Sequence, residues 1–455
     1  MNPVAILGGG ITGLTAAYEL RKREIPFVLF EAGSRVGGVI RTHHQEGFLA
    51  ECGPNTLLNT SPKIGELIRN LGLEPNRLET NPAARNRYIV RAGRPVPMPL
   101  SPFQFLGSEL FSLGTKMRLL TEPFRARAAA NKEESLAEFT VRRLGSEFLD
   151  YAINPFIAGV YAGDPRRLSV KHALPKLYAL EQKYGSLIKG QILGACARKK
   201  RGTIAKNKAK MISFDRGLQV LTDALGRHLA ESIRLNASIV ALEKTESGWQ
   251  IQEMQAQPDT PKNFSAVLLT APAHRLAKLK IHDQNNINLS RLSEIYYPPV
   301  SSVVLGFHRQ DVAHPLDGFG MLIPEVENFH ILGAIFSSSL FPHRAPEGQV
   351  TLTCYLGGVR APELALQDTE KIVRMTLADL SELLGVRGRP CFTHHSTYPK
   401  AIPQYEVGYG RFKDFMNEFE NAHPGLLLAG HFRDGISLSD SILAGFNAAE
   451  RIAAR

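Results

Sequence analysis

The stretch Pro3-Val4-Ala5-Ile6-Leu7-Gly8-Gly9-Gly10-Ile11-Thr12-Gly13 decides the fold. An apolar run that predicts a buried strand ends in glycines, and a helical pattern follows over Thr12–Arg23. Gly8, Gly10 and Gly13 form a Gly-x-Gly-x-x-Gly fingerprint. Its glycines allow a tight turn, close approach of the backbone to a pyrophosphate, and close packing of helix on strand. The unpaired amides and positive dipole end of the helix also suit phosphate.

The next elements supply the context that a lone fingerprint lacks. Ile25–Phe30 predicts a second buried strand, and Glu31 ends it roughly 20 residues beyond the glycines. An acidic residue at this place binds the ribose hydroxyls of an adenosine. The sequence therefore predicts a dinucleotide cofactor rather than a glycine-rich turn without a ligand.

The run Arg35-Val36-Gly37-Gly38-Val39-Ile40-Arg41-Thr42 narrows the choice of cofactor. It resembles the second signature of the superfamily of flavin-dependent amine oxidases, carotene desaturases and porphyrinogen oxidases. In that superfamily the stretch lies along the flavin diphosphate and its arginine meets phosphate, as suits a fixed guanidinium. The resemblance favours FAD over NAD, and an ordinary surface loop is the alternative interpretation.

Length and composition limit the class of protein. The 455 residues predict two or three domains, and 44% hydrophobic with 21% charged residues is ordinary for a globular chain. The 4 cysteines lack metal-ligand spacing, which predicts reduced thiols in a cytoplasmic protein and no metal site. We expect no signal peptide and no spanning helix. The net charge of +11 favours anionic partners, and we expect no nucleic acid among them because no such motif is present.

The order of patterns predicts an α/β fold. It contains a split Rossmann-like FAD-binding domain of the glutathione-reductase or amine-oxidase type, a mixed-sheet substrate domain and an α-helical membrane-binding domain. A second strand–glycine–helix unit at the end of the chain completes the split FAD-binding domain. The predicted boundaries are 1–84, 211–272 and 401–455 for the FAD-binding domain, 85–97 and 273–400 for the substrate domain, and 98–210 for the helical domain.

Residues 98–210 combine apolar helical patterns with basic residues. Their apolar faces predict either an ordinary helical subdomain or a domain that dips into a membrane interface while its basic residues meet anionic headgroups. The basic run at 198–210 is typical of a solvated loop, or else adds to such binding. We expect peripheral association with the inner face of the cell membrane through residues 98–130.

The segment Ala158-Gly159-Val160-Tyr161-Ala162-Gly163-Asp164-Pro165 resembles the marker segment of the protoporphyrinogen oxidase family, flavoenzymes of late haem biosynthesis. Agreement continues at Phe214–Gln219, at Ala401–Tyr405 and in the C-terminal unit, so the resemblance covers essentially the whole chain. It implies a six-electron oxidation of protoporphyrinogen IX in which the flavin N5 accepts hydride, with O2 giving peroxide, or a quinone-linked acceptor, as the oxidant. The alternatives are a coproporphyrinogen III oxidase, another amine oxidase or desaturase, and a non-catalytic FAD-containing membrane scaffold.

The same resemblance assigns substrate contacts and no certain catalytic side chain. Arg87 pairs with a propionate, and Gly159 lets the porphyrin edge approach. Phe319 and Leu322 sandwich the macrocycle, although plain core packing is their alternative interpretation. Tyr355 stands where animal members have methionine. The implied substrate-binding residues are Arg87, Gly159, Phe319, Gly320, Leu322 and Tyr355.

The resemblance also implies one non-covalently bound FAD per chain, a homodimer, and hand-over of the product to ferrochelatase. The C-terminal turn Gly430-His431-Phe432-Arg433-Asp434 departs from the usual family pattern and leaves the roles of His431 and Arg433 open. The implied FAD-binding residues are Gly8, Gly9, Gly10, Ile11, Thr12, Gly13, Glu31, Ala32, Arg35, Gly38, Val39, Gly53, Pro54, Asn55, Thr56, Ile239, Ala429, Gly430, Gly435, Ile436 and Ser437.

The number of carboxylates bears on the choice of substrate. Protoporphyrinogen carries two propionates and coproporphyrinogen four, and an unpaired buried propionate costs several kcal/mol. Membrane-type protoporphyrinogen oxidases place one arginine at the position of Arg87, and coproporphyrinogen-oxidising relatives generally lack this arrangement, so the resemblance favours protoporphyrinogen. Arg85, Arg91 and Arg94 on the same predicted hairpin are further candidates to receive carboxylates.

Overall fold

The computed structural model describes residues 2–127, 133–201, 210–255, 263–283 and 288–454. Its strands in chain order are β1 (Val4–Leu7), β2 (Phe27–Phe30), β3 (Thr42–Gln45), β4 (Phe48–Glu51), β5 (Leu57–Leu58), β6 (Arg77–Glu79), β7 (Asn86–Arg91), β8 (Arg94–Pro97), β9 (Met211–Phe214), β10 (Ile233–Arg234), β11 (Ile239–Thr245), β12 (Gly248–Glu253), β13 (Asn263–Phe264), β14 (Ala266–Leu269), β15 (Lys280–His282), β16 (Val300–His308), β17 (Gly318–Leu322), β18 (Ile331–Ile335), β19 (Gln349–Gly357), β20 (Phe392–Tyr398) and β21 (Leu426–Leu428).

The helices in chain order are α1 (Ile11–Lys22), α2 (Pro62–Asn70), α3 (Pro102–Gly107), α4 (Leu113–Leu120), α5 (Leu136–Arg143), α6 (Ser146–Phe148), α7 (Asn154–Tyr161), α8 (Val170–Ala173), α9 (Pro175–Tyr184), α10 (Leu187–Arg201), α11 (Gln219–His228), α12 (Ala273–Leu276), α13 (Ser337–Leu340), α14 (Thr369–Leu384), α15 (Gly410–Ala422) and α16 (Leu438–Ala453).

A five-stranded parallel sheet forms the centre of the nucleotide-binding half, in the order β10-β2-β1-β14-β21. Strands β1, β2, β14 and β21 are buried along their whole length, as continuous apolar runs require when both faces of a sheet are covered. Because parallel strands end at one edge, the turns after β1, β2, β14 and β21 lie side by side. The predicted split Rossmann-like fold is confirmed.

Helices α1 and α16 pack against one another beside this sheet. The Thr12 hydroxyl donates to the Ser441 carbonyl oxygen at 3.0 Å. A Cβ atom on Gly445 would lie 2.4 Å from the Thr12 carbonyl oxygen, so glycine is needed for the helices to approach this closely. The two ends of the chain are thereby joined in one layer. On the other face of the sheet lies a smaller sheet in the order β13-β12-β11-β15.

The second half of the molecule is built on a seven-stranded mixed sheet in the order β20-β16-β19-β18-β17-β7-β8. The predicted hairpin at 85–97 is present as β7 and β8, and β7 pairs in parallel with β17. Strand β4 contacts this sheet through Phe48, whose ring stacks on Phe392 with centroids 4.8 Å apart. The predicted mixed-sheet architecture is therefore confirmed, and the N-terminal segment touches both sheets.

The predicted domain boundaries stay predictions. Strand β15, which lies beyond the predicted boundary at residue 272, pairs in parallel with β11 of the nucleotide-binding half. Residues 202–209 of the basic run lie outside the described residues, and its last member, Lys210, pairs with Glu79 at 2.9 Å.

A buried ion cluster joins α5, α9 and the turn at Glu122 in the helical segment that connects β8 to β9. Arg143 is fully buried, and its guanidinium lies 2.6 Å from Glu181 and 3.2 Å from Glu122. Charges are retained in such a place only when they are paired and hydrogen-bonded. Among the described residues, no helix combines the length and the apolar character needed to cross a membrane.

Candidate active site and cofactor cradle

Gly8 and Gly13 hold the turn between β1 and α1 in its close-packed form. A Cβ atom on Gly13 would lie 2.0 Å from the Gly8 carbonyl oxygen, and one on Gly8 would lie 2.9 Å from the Ala271 amide nitrogen. Gly8 also has a φ of +119°, which residues with side chains rarely adopt. The backbone of the protein itself therefore requires both glycines.

Gly10 differs, because no protein contact explains it. Its φ of −69° and ψ of 175° suit any residue, and a Cβ atom there would meet nothing within 4 Å. Gly10 is the N-cap of α1 without a capping side chain, and the first turn of the helix carries no acidic residue. Unpaired amides and a positive dipole end therefore face the open space beside Gly10. This arrangement fits the pyrophosphate of FAD.

Glu31 lies beside the same turn. Its carboxylate accepts hydrogen bonds from the Gly9 and Gly33 amides, each at 2.7 Å. A carboxylate has about four lone-pair positions, so about two remain for ribose hydroxyls. The segment that precedes Ile239 lies beside Glu31, because the Ala237 amide donates a hydrogen bond to the Glu31 carbonyl oxygen at 2.9 Å.

The loop after Glu31 folds over the turn. The Gly37 amide donates to the Gly9 carbonyl oxygen at 2.7 Å. The Arg35 guanidinium donates to three carbonyl oxygens of its own loop, at 2.6 to 3.2 Å, and so fixes the shape of that loop. These bonds occupy three of its five N–H groups, and its contact with phosphate stays a prediction.

The C-terminal unit brings a second helix N-terminus to this edge. The Gly430 amide donates to the Asp434 carboxylate at 2.8 Å, and the Gly435 amide donates to the Tyr405 hydroxyl at 3.1 Å. Ser437 then caps α16. The predicted cofactor residues on the turns at this edge are Gly8–Gly13, Glu31, Ala32, Gly38, Ala429, Gly430, Gly435, Ile436 and Ser437.

Arg433 and His431 shape the C-terminal turn. The Arg433 guanidinium donates to the Glu420 carboxylate at 2.5 Å and to the Leu428 carbonyl oxygen at 3.2 Å. The His431 ring packs edge-on to Tyr297 with centroids 5.7 Å apart, and burial lowers the pKa of its imidazole to about 4. His431 is therefore neutral at physiological pH, and Arg433 is committed to a carboxylate of α15.

Neighbouring strands of the mixed sheet align the predicted substrate residues. The pairing of β7 with β17 sets Arg87 opposite Gly320, and the pairing of β18 with β19 sets Gly333 opposite Tyr355. The guanidinium carbon of Arg87 lies 5.9 Å from the centre of the Phe319 ring. The sheet thus brings an exposed cation, an aromatic ring and a tyrosine onto one surface, which we call the substrate wall and which includes Arg87, Phe319 and Tyr355.

Helix α7 contacts the same wall. A Cβ atom on Gly159 would lie 2.4 Å from Cδ2 of Leu322, so the two predicted substrate residues are in direct contact. In this structure the Leu322 side chain takes the space that a larger residue at 159 would need. Phe156 and Val160, beside Gly159 on α7, are exposed. The family segment around Gly159 therefore offers an apolar surface next to the wall.

A close hydrogen bond joins the two halves of the site. The Asn55 side-chain amide donates to the Tyr355 hydroxyl, although 300 residues separate the two in the chain. On the cofactor side of the same turn, a Cβ atom on Gly53 would lie 2.3 Å from the Val39 carbonyl oxygen. The turn formed by residues 53–56 is therefore the place where the cofactor edge meets the substrate wall.

The arginines of the hairpin differ in their partners. Arg91 forms an ion pair with Glu147 at 2.7 Å, and Arg94 lies 3.7 Å from Glu109. Within the described ranges, no carboxylate lies at ion-pair distance from the Arg87 guanidinium. Arg87 therefore keeps its charge available for a ligand, whereas the other two arginines are committed.

Sequence reasoning missed a buried acid, Glu51, at the end of β4. It is 4% exposed, and its carboxylate accepts hydrogen bonds from the Leu218 amide at 2.7 Å and the Thr42 hydroxyl at 2.8 Å. Burial raises the pKa of Glu51 to about 7, against the lowering effect of these bonds and of Arg344. The sequence signal was an acid that ends an apolar strand just before a Gly-Pro turn.

The family model described as flavin containing amine oxidoreductase matches residues 11–453. The chain belongs to the flavin-containing amine oxidoreductase family. As a member of this family it is an FAD-dependent oxidoreductase, which confirms the cofactor predicted from the glycine fingerprint and the loop after it.

Comparison with individual proteins shows which members of the family this chain is similar to. The chain is 35% identical to protoporphyrinogen oxidase 2, chloroplastic/mitochondrial, of Arabidopsis thaliana, over 99% of this chain and 93% of that protein. It is 29% identical to the coproporphyrinogen III oxidase of Bacillus subtilis, over 97% and 96%. A crystal structure provisionally named as a protoporphyrinogen oxidase, from Exiguobacterium sp. 255-15, matches with a TM-score of 0.82 and 25% identity, covering 99% of this chain and 98% of that one. The resemblance to porphyrinogen oxidases is confirmed.

We expect Gly10→Val to abolish FAD binding while the fold is retained. The valine side chain would fill the open space at the start of α1, and the φ and ψ of residue 10 suit valine. The flavin absorbance of the purified protein and the circular dichroism of the apoprotein measure the two effects. Gly13→Ala is the control, because its Cβ atom meets the Gly8 carbonyl oxygen and should lower stability itself. Full flavin occupancy in Gly10→Val would refute the assignment of the FAD pyrophosphate site to the turn between β1 and α1.

Proposed function

We propose that this chain oxidises protoporphyrinogen IX to protoporphyrin IX with bound FAD. Relatives named protoporphyrinogen oxidase support the substrate class, and Arg87 supports the choice within it. Its guanidinium lies on the substrate wall, has no carboxylate at ion-pair distance among the described residues, and stands beside an aromatic ring that can pack on a macrocycle. This unpaired cation is the observation on which the assignment depends.

The side chains of the site bind and orient the substrate. Arg87 would hold a propionate, and Phe319 and Leu322 would contact the faces of the ring, so that a bridging carbon points toward the turn at 53–56. FAD, when bound, supplies the two-electron oxidation at each round. Asn55 and Tyr355, already hydrogen-bonded to one another, would fix the distance between cofactor and ring.

Coproporphyrinogen III is the second candidate substrate, since a relative with that activity in its name matches nearly the whole chain. Four propionates need more free cations than two. Arg91 and Arg94 are paired with glutamates, and Arg85 donates to the Pro82 carbonyl oxygen at 2.6 Å. Glu147 and Glu109 offset two of the four arginine charges while Arg85 keeps its charge, so the hairpin offers less net positive charge than its four arginines indicate, which favours the ring with two propionates.

O2 is the acceptor that we propose, with H2O2 as the by-product, and a quinone-linked acceptor is the alternative. The division into FAD-binding, substrate-binding and helical domains at the predicted boundaries is likewise a proposal. A homodimer and hand-over of the product to ferrochelatase stay predictions.

We also propose that residues 98–130 attach the protein to the anionic inner surface of the cell membrane. The support is a set of large apolar side chains exposed on α3, α4 and the turn after them, with Phe103 88% and Phe124 86% exposed. Large apolar side chains exposed in one segment indicate an interaction site, and Lys189 lies 5.7 Å from the Phe124 ring, where it can meet a headgroup. The exposed members are Leu100, Phe103, Leu106, Leu113, Met117, Leu120 and Phe124.

Arg87→Ala tests the substrate assignment. We expect kcat/KM for protoporphyrinogen IX to fall about tenfold to a hundredfold, which corresponds to the loss of one charge-assisted pair of about 1.5–3 kcal/mol. FAD content should not change. Arg94→Ala is the matched control, because Arg94 is 73% exposed in its side chain and belongs to the same hairpin. Unchanged kinetics for Arg87→Ala, or faster turnover of coproporphyrinogen by the unmutated enzyme, would contradict the proposal.

Flotation with vesicles tests the membrane proposal. The unmutated protein should float with vesicles rich in phosphatidylglycerol at low salt and remain at the bottom with neutral vesicles. Replacing both Phe103 and Phe124 by Glu should prevent flotation, because two exposed apolar contacts become charged. Leu366→Glu, at another exposed apolar position, should float like the unmutated protein. Recovery of the unmutated protein at the bottom of every gradient would reject the proposal.

A further inference from the structure

The Glu51 carboxyl group occupies an enclosed position between the cofactor edge and the substrate wall. Strand β4 carries it, and the turn at 53–56 begins two residues later. Its two oxygens accept from different segments, one from the Leu218 amide and the other from the Thr42 hydroxyl. Both donors favour the ionised form of the acid, whereas burial favours the neutral form. The charge of Glu51 is therefore finely balanced.

A small cavity of about 10 Å³ opens beside this carboxyl group. That volume holds roughly one water molecule. Its polar lining comes from Glu51, Asn55, Ser337 and Arg344, and its apolar lining from Leu49, Ile335, Leu340 and Phe341. A water here would have the several polar partners that a buried water needs. The cavity connects the carboxyl group to the turn that touches the substrate wall.

Arg344 lines the cavity, but its guanidinium is hydrogen-bonded to groups other than Glu51. It is 2% exposed, and its guanidinium donates to the Ser213 hydroxyl at 2.8 Å and to the carbonyl oxygens of Phe214 at 3.1 Å and Asp215 at 3.4 Å. Arg344 therefore attracts the Glu51 charge across a gap rather than through a direct ion pair. An acid in this position is free to take up a proton without breaking a salt bridge.

The other charged and titratable groups around Glu51 are few. Asp215 acts on Arg344, and the Cys52 thiol and the Tyr355 hydroxyl both have a pKa raised by burial and by the Glu51 charge. These two groups stay neutral below the alkaline range. His394 is also close, with its Nε2 3.3 Å from the Cys52 Sγ atom, and burial lowers the pKa of its imidazole. Burial raises the pKa of Glu51 to about 7, so Glu51 is the acid of this cluster that changes charge near neutral pH.

We propose that Glu51 is the group that takes up the proton released when substrate reduces FAD, through the water-sized cavity it shares with Asn55. The proposal rests on the porphyrinogen oxidase function given above. Oxidation of one porphyrinogen bridge would remove a hydride from the bridging carbon, which FAD would accept, and would free one proton from a pyrrole N–H. The Glu51 carboxylate forms an O–H bond with that proton. With O2 as the proposed acceptor, the hydride held by the cofactor and the proton held by Glu51 would together reduce O2 to H2O2, and the Glu51 carboxylate would be restored.

The Glu51 carboxyl group would take up the proton by way of Asn55 and a water in the cavity, and it would not touch the reacting carbon. The cofactor edge and the substrate wall meet at this turn, and the cavity beside Glu51 is lined by Asn55 of the same turn. Asn55, bonded to Tyr355 on one side and lining the cavity on the other, links the two.

A redox titration of the FAD-loaded protein tests the proposal without any porphyrinogen. With a chemical reductant, the midpoint potential of the unmutated protein should fall more steeply between pH 6 and 8 than that of Glu51→Gln, because one further group takes up a proton on reduction. Glu51→Asp should restore the steeper dependence. Glu66→Gln, at an exposed acid paired with Lys22, should match the unmutated protein. Equal slopes for the unmutated protein and Glu51→Gln would overturn the proposal.

The rate of flavin reduction by porphyrinogen gives a second readout. With a carboxyl pKa near 7, the rate should rise about tenfold from pH 6 to pH 8, and Glu51→Gln should lose this rise. Thr42→Val keeps the acid but removes a donor to its charged form, so the rise should move to higher pH. A rise that stays in place in both variants would reject the role of Glu51. Failure of porphyrinogen to reduce the flavin at all would reject the proposed function alone, since the redox titration still reports on Glu51.

Discussion

The approach of α1 to the end of β1 is the constraint on which the rest of the structure depends. Gly13 lies so close to the Gly8 carbonyl oxygen that a Cβ atom would be only 2.0 Å away. This contact aims the unpaired amides of α1 along the carboxyl edge of the parallel sheet, where an anion is stabilised by their dipole. Gly445 allows α16 to lie equally close to α1, so a second helix begins at the same edge. The edge therefore accepts a dinucleotide because of how the backbone packs.

The turn at 53–56 couples this edge to the substrate wall. Gly53, its first residue, packs against Val39 in the loop that follows Glu31, and Asn55, its third residue, forms a hydrogen bond with Tyr355 of the seven-stranded sheet. A shift of this turn would move cofactor and substrate relative to one another, which is the distance that matters most for transfer of hydrogen. Glu51 beneath the turn is a buried acid whose pKa burial raises to about 7, so the proton acceptor that we propose lies next to the residues that set this distance.

The cofactor half was predictable from sequence because its determinants act over short distances. The glycines of the first turn and Glu31 follow from one strand–turn–helix pattern, and the structure places them together. The contacts of the substrate half span hundreds of residues and came from resemblance to a family. Periodicity does not encode that Asn55 meets Tyr355, or that Arg91 is paired with Glu147 while Arg87 is left without a carboxylate. The local pattern of an acid that ends an apolar strand marks Glu51 itself, but its raised pKa depends on burial by distant segments and could not be predicted from that pattern.

We propose that a porphyrinogen with two propionates, held on the substrate wall by Arg87, delivers electrons directly to the bound FAD. Anaerobic mixing of the FAD-loaded protein with protoporphyrinogen IX tests it most directly, with the absorbance of oxidised flavin followed over time. We expect complete bleaching of the flavin absorbance in a first-order phase, faster than with coproporphyrinogen III at the same concentration. Persistence of the oxidised flavin spectrum with protoporphyrinogen IX, or bleaching by coproporphyrinogen III alone, would contradict it.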